Sequence, residues 1–304
     1  MDEALHKAIL RTLAWFSLFD YAPTAFETWK WLFVTGEKPS LDEVDAALRG
    51  GGYPSKDGFH ALPGTDAVAL ARTRHARRRD ALRKMRALRR AVRFLRRVPG
   101  VRAVAAANTL AFMHTRPESD IDLFVRTMPG LTWTARLMCV TPFAILRQRP
   151  EDGARDPFCF SFFASTAAPA LETLALPGGD PYLEVWIRSL RTVYGDVRSQ
   201  DPTPGVGNSS FCKKPGDFEN RDLENPGFPK ETTRPTPGVG RGGHVERLAR
   251  WIQLRRLPHS LRTLMNRDSR VVVNDEMLKF HENDRRAEYR DRWMALCRTY
   301  AYDA

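Results

Sequence analysis

Two aspartates separated by a single residue, Asp120 and Asp122, are the side chains of this sequence best suited to metal chemistry. Asp120 directly precedes an apolar run over residues 121–125, and Asp122 lies within it. This run predicts a buried strand. Residues two apart on a strand point to the same face, so we expect the two carboxylates to lie side by side. Like charges in that position repel each other, and a bound cation relieves the repulsion. Magnesium, a hard ion that prefers oxygen ligands, suits such a pair.

A second short apolar run, residues 101–106, predicts another strand, and a helix-length segment connects it to the acidic pair. Ser119 comes directly before the pair, and Ile121 lies between the two acids. The pattern is therefore serine, aspartate, apolar residue, aspartate, apolar residue, on a strand that follows a strand and a connecting segment.

This stretch resembles the signature of the DNA polymerase β-like nucleotidyltransferases, in which Gly-Ser precedes Asp-x-Asp on a strand. Here Asn108 and Thr109 stand in place of Gly-Ser, with ten residues between Thr109 and Asp120. In that family the small residue makes a tight turn and the hydroxyl contacts triphosphate oxygens. Asparagine tolerates a positive φ better than most residues, and threonine keeps a hydroxyl. The resemblance implies nucleotide binding by Asn108, Thr109 and Ser119, and magnesium binding and catalysis by Asp120 and Asp122.

The same resemblance implies a third acid on a later strand, which would ligate a metal and accept a proton. The matching strand is the segment 157–163, where alternation places Cys159 and Ser161 on the face opposite the phenylalanines at 158, 160 and 162. Ser161 occupies the position expected for the acid, and serine cannot replace a carboxylate as a base. Asp152 and Asp156 lie just upstream, so one of them would have to approach the pair in an active enzyme.

The N-terminal part of the sequence predicts a winged-helix-like module over residues 1–65. An apolar helical pattern covers residues 4–19, Thr24 opens a second helix, and Ser40 caps a third with Glu43 at the capping-box position. A short hairpin-like stretch follows at 53–62. The alternative interpretation is a small helical packing module without any role in nucleic-acid binding.

Residues 66–98 predict a long basic connecting helix. Between Arg72 and Arg97 there are thirteen lysines and arginines and one acid, Asp80. Such a helix repels itself unless anions or acidic neighbours screen its charge. A nucleic acid bound through the segment 72–97, or a triphosphate, would supply that screening. A solvated connector is the alternative.

Residues 201–243 differ in composition from the rest of the chain, with many prolines and glycines and few periodic apolar positions. The hexapeptide Pro-Thr-Pro-Gly-Val-Gly occurs at 202–207 and again at 235–240. We interpret this segment as a flexible surface insertion and expect deletion of residues 202–234 to cost little stability. Helical periodicity resumes at Val245 and predicts a helical C-terminal region over residues 244–304.

Composition restricts the remaining possibilities. The net charge is +12, with 48 lysines and arginines against 36 acids, which favours polyanionic partners such as nucleoside triphosphates or nucleic acid. The four cysteines have no CxxC spacing, which disfavours a zinc ribbon or a disulfide framework. There is no apolar run long enough for a membrane span and no signal-peptide pattern. These features predict a cytoplasmic protein without membrane association.

The wider chain is similar to uncharacterised bacterial proteins in which a winged-helix-like module precedes a nucleotidyltransferase domain. The similarity lies in the core around the acidic pair, the segments 133–136 and 157–165, a helix predicted over 182–194, and residues 278–286. It implies an α+β fold with a short mixed sheet and a nucleotidyltransferase-like domain over residues 99–200.

Two functions from different classes remain open. The first is magnesium-dependent transfer of a nucleoside monophosphate from a nucleoside triphosphate to a hydroxyl acceptor that the sequence does not identify. The second is a catalytically degenerate fold that binds nucleic acid or regulates another protein. The intact Asp120 and Asp122 favour the first, and Ser161 at the place of the third acid favours the second. A metal site at His281, Glu282 and Asp284 is disfavoured, because their spacing spreads them around a helix.

Overall fold

The computed structural model describes residues 3–34, 36–197 and 243–302. The insertion predicted at 201–243 lies outside these residues except for Gly243, where a helix begins. The helices are α1 (Glu3–Ser17), α2 (Ala25–Lys30), α3 (Leu41–Gly50), α4 (Ala67–Leu95), α5 (Asn108–Ala111), α6 (Thr132–Ile145), α7 (Pro181–Ser189), α8 (Gly243–Arg255), α9 (His259–Leu264) and α10 (Arg286–Cys297). Short 3-10 turns occur at Pro150–Asp152 and Leu171–Leu174, and a π-helical turn at Arg298–Tyr302.

Eight strands form two sheets. They are β1 (Ser55–Lys56), β2 (Phe59–His60), β3 (Val101–Ala106), β4 (Ile121–Thr127), β5 (Phe158–Ser165), β6 (Arg191–Tyr194), β7 (Val271–Val273) and β8 (Met277–Phe280). The first two make a small antiparallel hairpin, and the other six form one sheet in the order β6-β3-β4-β5-β8-β7. Only β4 and β5 pair in parallel, so the sheet is mixed, as expected for the α+β fold.

The N-terminal segment contains the three helices and the hairpin that the sequence predicts. Thr24 and Ser40 cap α2 and α3, each in a capping box with the glutamate three residues later, so local signals fix where these helices begin. The exposed surface of α3 carries Asp42 and Glu43 in its first turn. These acids repel phosphate, so α3 is poorly suited to entering a nucleic-acid groove.

The two ends of the chain pack together. Residues of α1 and α3 share a buried apolar cluster with Cys297 of α10 and with Trp293 beside it. The Trp293 indole N–H donates a 2.9 Å hydrogen bond to the carbonyl of Arg11. The N-terminal segment is therefore built onto the C-terminal helix and shares its core.

Two layers of helices cover the large sheet. One sheet face and helices α4, α6 and α8 form the larger apolar core, around residues such as Leu88, Leu123 and Trp133. The opposite face forms a second core with α7, around Phe124, Phe162 and Trp186. The side chains of β4 alternate between the two cores, so Asp122 lies on the same face as Phe124.

The C-terminal half of the sheet differs from the sequence predictions. The helix expected over 182–194 ends at Ser189, and residues 191–194 form the edge strand β6, which pairs with β3. The region expected to be helical over 244–304 contributes the β7–β8 hairpin to the sheet beside β5. The sheet thus extends beyond the range 99–200 assigned to the nucleotidyltransferase-like domain.

The apolar positions of α8 also face differently from the prediction. The sequence pattern places Val245 and Leu248 on a buried face, but these side chains are 61% and 56% exposed. The buried residues of this helix are Ala249 and Gln253. Gln253 donates from its amide to the carbonyl of Trp133, which shows that a polar contact orients α8 against α6.

None of the helices within the described ranges is both long enough and apolar enough to cross a membrane.

Candidate active site

The turn between β3 and α5 is built around Asn108. This residue has a φ of +50°, in the left-handed region that asparagine tolerates. Its side-chain oxygen accepts a 2.8 Å hydrogen bond from the indole N–H of Trp186 on α7. The backbone N–H of Ala107, directly before Asn108, donates a 3.0 Å hydrogen bond to the carbonyl of Asp122. The turn that the sequence aligns with Gly-Ser therefore lies directly against the acidic pair, as the prediction requires.

The aspartates lie where the buried sheet opens to solvent. Along β4 every residue is buried except Asp122, which is partly exposed, and Asp120 just before the strand is also partly exposed. On β5 the two partly exposed residues are Cys159 and Ser161. These four polar side chains share one face of two parallel strands. They form a polar crevice at the beginning of β4 and β5.

The environment of the pair favours the uncharged carboxyl groups in the free protein. Burial raises the pKa of Asp122 to about 6; the charge of Asp120 adds to this effect, while the hydrogen bond with Asn108 opposes it. Burial also raises the pKa of Asp120, opposed by Lys84 and reinforced by Glu151. When both groups are ionised, the charge of Asp120 disfavours the charged form of Asp122, and a divalent cation would offset that repulsion.

Lys84 of α4 holds the loop that leads into the acidic pair. Its side chain is completely buried, and its ammonium group donates to the carbonyls of Arg116, Pro117 and Ser119, at 2.6 Å for Ser119. The same group lies 3.1 Å from a carboxylate oxygen of Asp80. Because this loop ends at Asp120, a buried lysine of the basic helix fixes the start of β4.

The two hydroxyl residues predicted to bind nucleotide have different surroundings. Thr109 is exposed in the first turn of α5, next to Asn108. The Ser119 hydroxyl instead accepts a 3.0 Å hydrogen bond from the backbone N–H of Arg116. Ser119 therefore closes the turn before the aspartates, whereas Thr109 has its hydroxyl on the accessible surface.

The strand β5 carries a bulge opposite the aspartates. Cys159 pairs with Asp122, but Phe162 pairs with Phe124, so three steps on β5 correspond to two on β4. Because of this extra residue, Phe162 enters the same core as Phe124, and the expectation that it faces the side opposite Ser161 is wrong. Cys159 lies beside Asp122 in the strand register, and Ser161, two residues further along β5, is also partly exposed.

His281 lies behind Ser161. The two side chains approach to 3.5 Å between the Ser161 hydroxyl and the imidazole Nε2. Burial lowers the pKa of His281 to about 3, so the ring is neutral at physiological pH. Asp284 is bound by Arg286. His281 and Asp284 therefore serve separate contacts. Residues 281–284 precede α10, so the expectation that they lie on a helix is wrong.

Neither of the two upstream acids joins the pair. Asp156 is bound by Arg83 and lies 3.8 Å from the Lys84 ammonium group. Asp152 accepts a 3.0 Å hydrogen bond from the backbone N–H of Arg149 in the 3-10 turn. The expectation that one of them supplies the third carboxylate is not met.

Glu151 is the acid of this turn whose charge reaches the site. It directly precedes Asp152 in the sequence, and its negative charge contributes to the raised pKa of Asp120. Its carboxylate is exposed and forms a 2.7 Å ion pair with Arg149. The sequence reasoning missed Glu151 because it considered only aspartates near the strand. The motif spacing contains no signal that distinguishes it.

Arg136 is packed between helices. It donates a 2.6 Å hydrogen bond to the Gln253 side chain and lies over the ring of Phe280. Burial lowers its pKa to about 10, and the neighbouring Arg149 acts in the same direction. The contacts of Arg136 therefore hold α6 against α8 and β8.

The protein groups at the site fit magnesium in one particular way. Within residues 3–34, 36–197 and 243–302, no group of three or more histidine, cysteine, aspartate or glutamate side chains could hold a metal ion. Magnesium is commonly held by one or two carboxylates, with water and substrate phosphates as the other ligands. Asp120 and Asp122 suit that arrangement, in which the metal binds together with the nucleotide.

No protein-family model, curated protein or solved structure matches this chain, so the site is interpreted from its own geometry.

Proposed function

We propose that this chain is a magnesium-dependent nucleotidyltransferase that moves a nucleoside monophosphate from a nucleoside triphosphate to a hydroxyl acceptor. The observation that carries the proposal is the contact between the turn at Asn108 and the acidic pair: the backbone N–H of Ala107 donates a 3.0 Å hydrogen bond to the carbonyl of Asp122. This bond joins a left-handed turn after one strand to the acidic pair that begins the next strand. Asp120 and Asp122 are both partly exposed where the turn and the pair meet.

In the proposed reaction, the acceptor oxygen attacks the α-phosphorus and forms a new phosphorus–oxygen bond. The bond between the α-phosphorus and its bridging oxygen breaks, pyrophosphate leaves, and the acceptor proton passes to a base. Magnesium at Asp120 and Asp122 would supply charge neutralisation of the triphosphate. Thr109, with its exposed hydroxyl beside Asn108, would orient the phosphate oxygens.

Glu151 is the residue we assign to the proton-accepting position. The charge of Glu151 contributes to the raised pKa of Asp120, whereas Asp152 and Asp156 are not among the causes of that shift. An exposed carboxylate near the pair can accept the acceptor proton as the new bond forms. Glu151→Gln should reduce kcat at least tenfold, with little change in nucleotide affinity, and Asp152→Asn on the adjacent residue should not.

Calorimetry with a non-hydrolysable nucleoside triphosphate, with and without magnesium, tests the proposed site. The wild-type protein should bind the nucleotide only with magnesium, and Asp122→Asn should abolish that binding while the fold is retained. Glu118→Gln is a matched control, because Glu118 is an exposed acid in the same loop. Equal binding by wild type and Asp122→Asn would overturn the site. Incorporation of labelled nucleotide into protein, RNA and small-molecule acceptors then tests transfer.

A second function is favoured by one observation: Ser161 occupies the crevice at the position where the resemblance implies an acid. In this alternative the site binds magnesium and nucleotide but has lost transfer. Ser161→Asp distinguishes the two. If the chain is an enzyme that uses Glu151, the substitution should change transfer little, whereas in a degenerate binder it should create measurable transfer from an inactive parent.

A further inference from the structure

A basic groove lies away from the aspartates, between the C-terminal part of α4 and the edge strand β6. Its volume is about 430 Å³. One wall carries Arg89, Arg93 and Arg96, and the other is formed by residues 191–194 of β6. None of the residues that line it is acidic. We infer that this groove binds a single-stranded polynucleotide through its phosphates and one stacked base.

The charges of the groove wall are available to a ligand. Arg89, Arg93 and Arg96 are exposed, and in the described part of the chain none of them forms an ion pair with a carboxylate. Their spacing places them along one side of the helix, over about 10 Å of its axis. Positive charges at this spacing repel each other and destabilise the helix unless an anion screens them. A chain of phosphates provides that screening along the whole row.

The other wall offers groups that recognise a nucleic-acid strand. β6 is at the edge of the sheet, so its outer backbone groups have no strand partner within the described residues. Thr192 is exposed, and the ring of Tyr194 is partly exposed. Backbone N–H groups and hydroxyls bind phosphates and sugars, and an aromatic ring provides a surface on which a base can stack.

The size of the groove favours a single strand over a duplex. A volume of about 430 Å³ corresponds to a small-molecule pocket, enough for roughly one or two nucleotides. A ligand in the groove contacts the α4 wall and the β6 wall at the same time. A flexible single strand can do this, whereas a rigid duplex cannot. Arg86 and Arg90 are also exposed on α4 and extend the positive surface beyond the groove.

Fluorescence anisotropy with a labelled 12-nucleotide oligo-U tests the inference at 50–200 mM KCl. A hairpin duplex and polyglutamate of similar charge serve as competitors. The wild-type protein should bind the single strand more tightly than either competitor. The triple variant Arg89→Gln/Arg93→Gln/Arg96→Gln should lose at least tenfold in affinity at low salt. The slope of log K against log salt should fall by about 2, since each lost phosphate contact on a single strand contributes about 0.7.

The matched control is Arg72→Gln/Arg78→Gln/Arg79→Gln, which removes the same charge from exposed positions of the same helix outside the groove. It should bind within about twofold of wild type. Tyr194→Leu should weaken binding about tenfold without changing the salt slope, because stacking of one base contributes roughly 1–3 kcal/mol. A melting curve for each variant verifies the fold.

Three results would overturn the inference. One is an equal loss of affinity in both triple variants, which would show that binding follows total charge alone. Another is tighter binding of the duplex, or of polyglutamate, which would assign the groove to a different partner. The third is no measurable binding of the single strand by the wild-type protein at 50 mM salt. Each readout is independent of magnesium and nucleotide transfer, so failure of the proposed enzyme activity would not affect it.

Discussion

The basic helix has two parts that differ in what their charges contact. In the anchored segment, residues 72–84, Arg74 donates to both carboxylate oxygens of Glu27, and Arg77 donates to the carbonyl of Phe19. Lys84, at the end of this segment, holds the loop before the acidic pair. In the open segment, residues 85–97, the exposed arginines have no described acidic partner.

The difference shows that similar sequence can serve two purposes. Both segments are rich in arginine. The anchored segment, however, contains one acid of its own, Asp80, and acids of other elements lie within reach of its basic side chains. Asp20, Glu27 and Asp156 pair with its basic residues. These contacts join the N-terminal segment, the basic helix and the loop before the acidic pair. The exposed arginines of the open segment lack such partners among the described residues, so substitutions there should change ligand binding more than stability, and substitutions in the anchored segment should do the reverse.

The largest effect is expected from Lys84→Met in the anchored segment. The change leaves three loop carbonyls without their donor and removes one of the two cations that pair with Asp80, the other being Arg83. We expect a loss of about 3–5 kcal/mol in the free energy of unfolding, measured by urea denaturation. Arg89→Met in the open segment should change it by less than about 0.5 kcal/mol. Similar losses in the two variants would remove the distinction between the segments.

A somewhat smaller effect is expected from Arg74→Gln. The Arg74 side chain is 4% exposed, binds Glu27 at 3.0 Å and lies 3.7 Å from the ring centroid of Tyr21. Its loss should lower the free energy of unfolding by about 3 kcal/mol, because a buried ion pair and a cation–π contact are lost together. Arg78→Gln, on the exposed face of the same segment, is the control. A neutral result for Arg74→Gln would show that the N-terminal segment docks by apolar packing alone.

Local signals were enough to predict the parts of the site that lie close together in sequence. The acidic pair and its strand follow from residues 120–125, and the left-handed turn follows from Asn108. Lys84 could not be assigned in the same way. Its partners are carbonyl groups more than thirty residues away, and backbone groups leave no trace in side-chain spacing.

The missed strands have a related physical cause. Residues 191–194 directly follow α7 and are too few to show a period of their own, so their pattern reads as a continuation of the helix. They become a strand because they pair with β3. The β7–β8 hairpin is likewise stabilised by pairing with β5, which a single sequence does not reveal.

The pH dependence of stability should separate the site from the open segment. Because burial raises the pKa of Asp122 from 3.8 to about 6, the folded protein holds this proton more tightly than the unfolded chain. The contribution of Asp122 to stability is therefore largest below pH 4 and is lost as the pH rises through 6. We expect a fall of about 2 kcal/mol in wild type relative to Asp122→Asn, measured by urea denaturation across pH 4–7.

The variant Arg89→Gln/Arg93→Gln/Arg96→Gln should follow the wild-type pH curve, since these arginines do not contribute to the raised pKa of Asp122. Magnesium with nucleotide should reduce the difference between wild type and Asp122→Asn at pH 7, because the metal favours the charged carboxylate. If the stability of wild type and that of Asp122→Asn changed in parallel with pH, the Asp122 carboxylate would have to be well solvated in the folded protein.

The smallest expected effect is a gain in stability in the open segment. Arg90→Glu places a carboxylate four residues after Arg86 and three residues before Arg93, on the exposed surface of α4. It replaces repulsions with attractions at helical spacing, which should stabilise the protein by about 0.5 kcal/mol. Melting temperatures at low and high salt measure it, since 0.5 M KCl should remove most of the gain. The same exchange at a partnered position, Arg74→Glu, would set two carboxylates against each other inside the protein and should prevent folding. If Arg90→Glu instead destabilises the protein, then Arg90 has an acidic partner and the open segment is anchored as well.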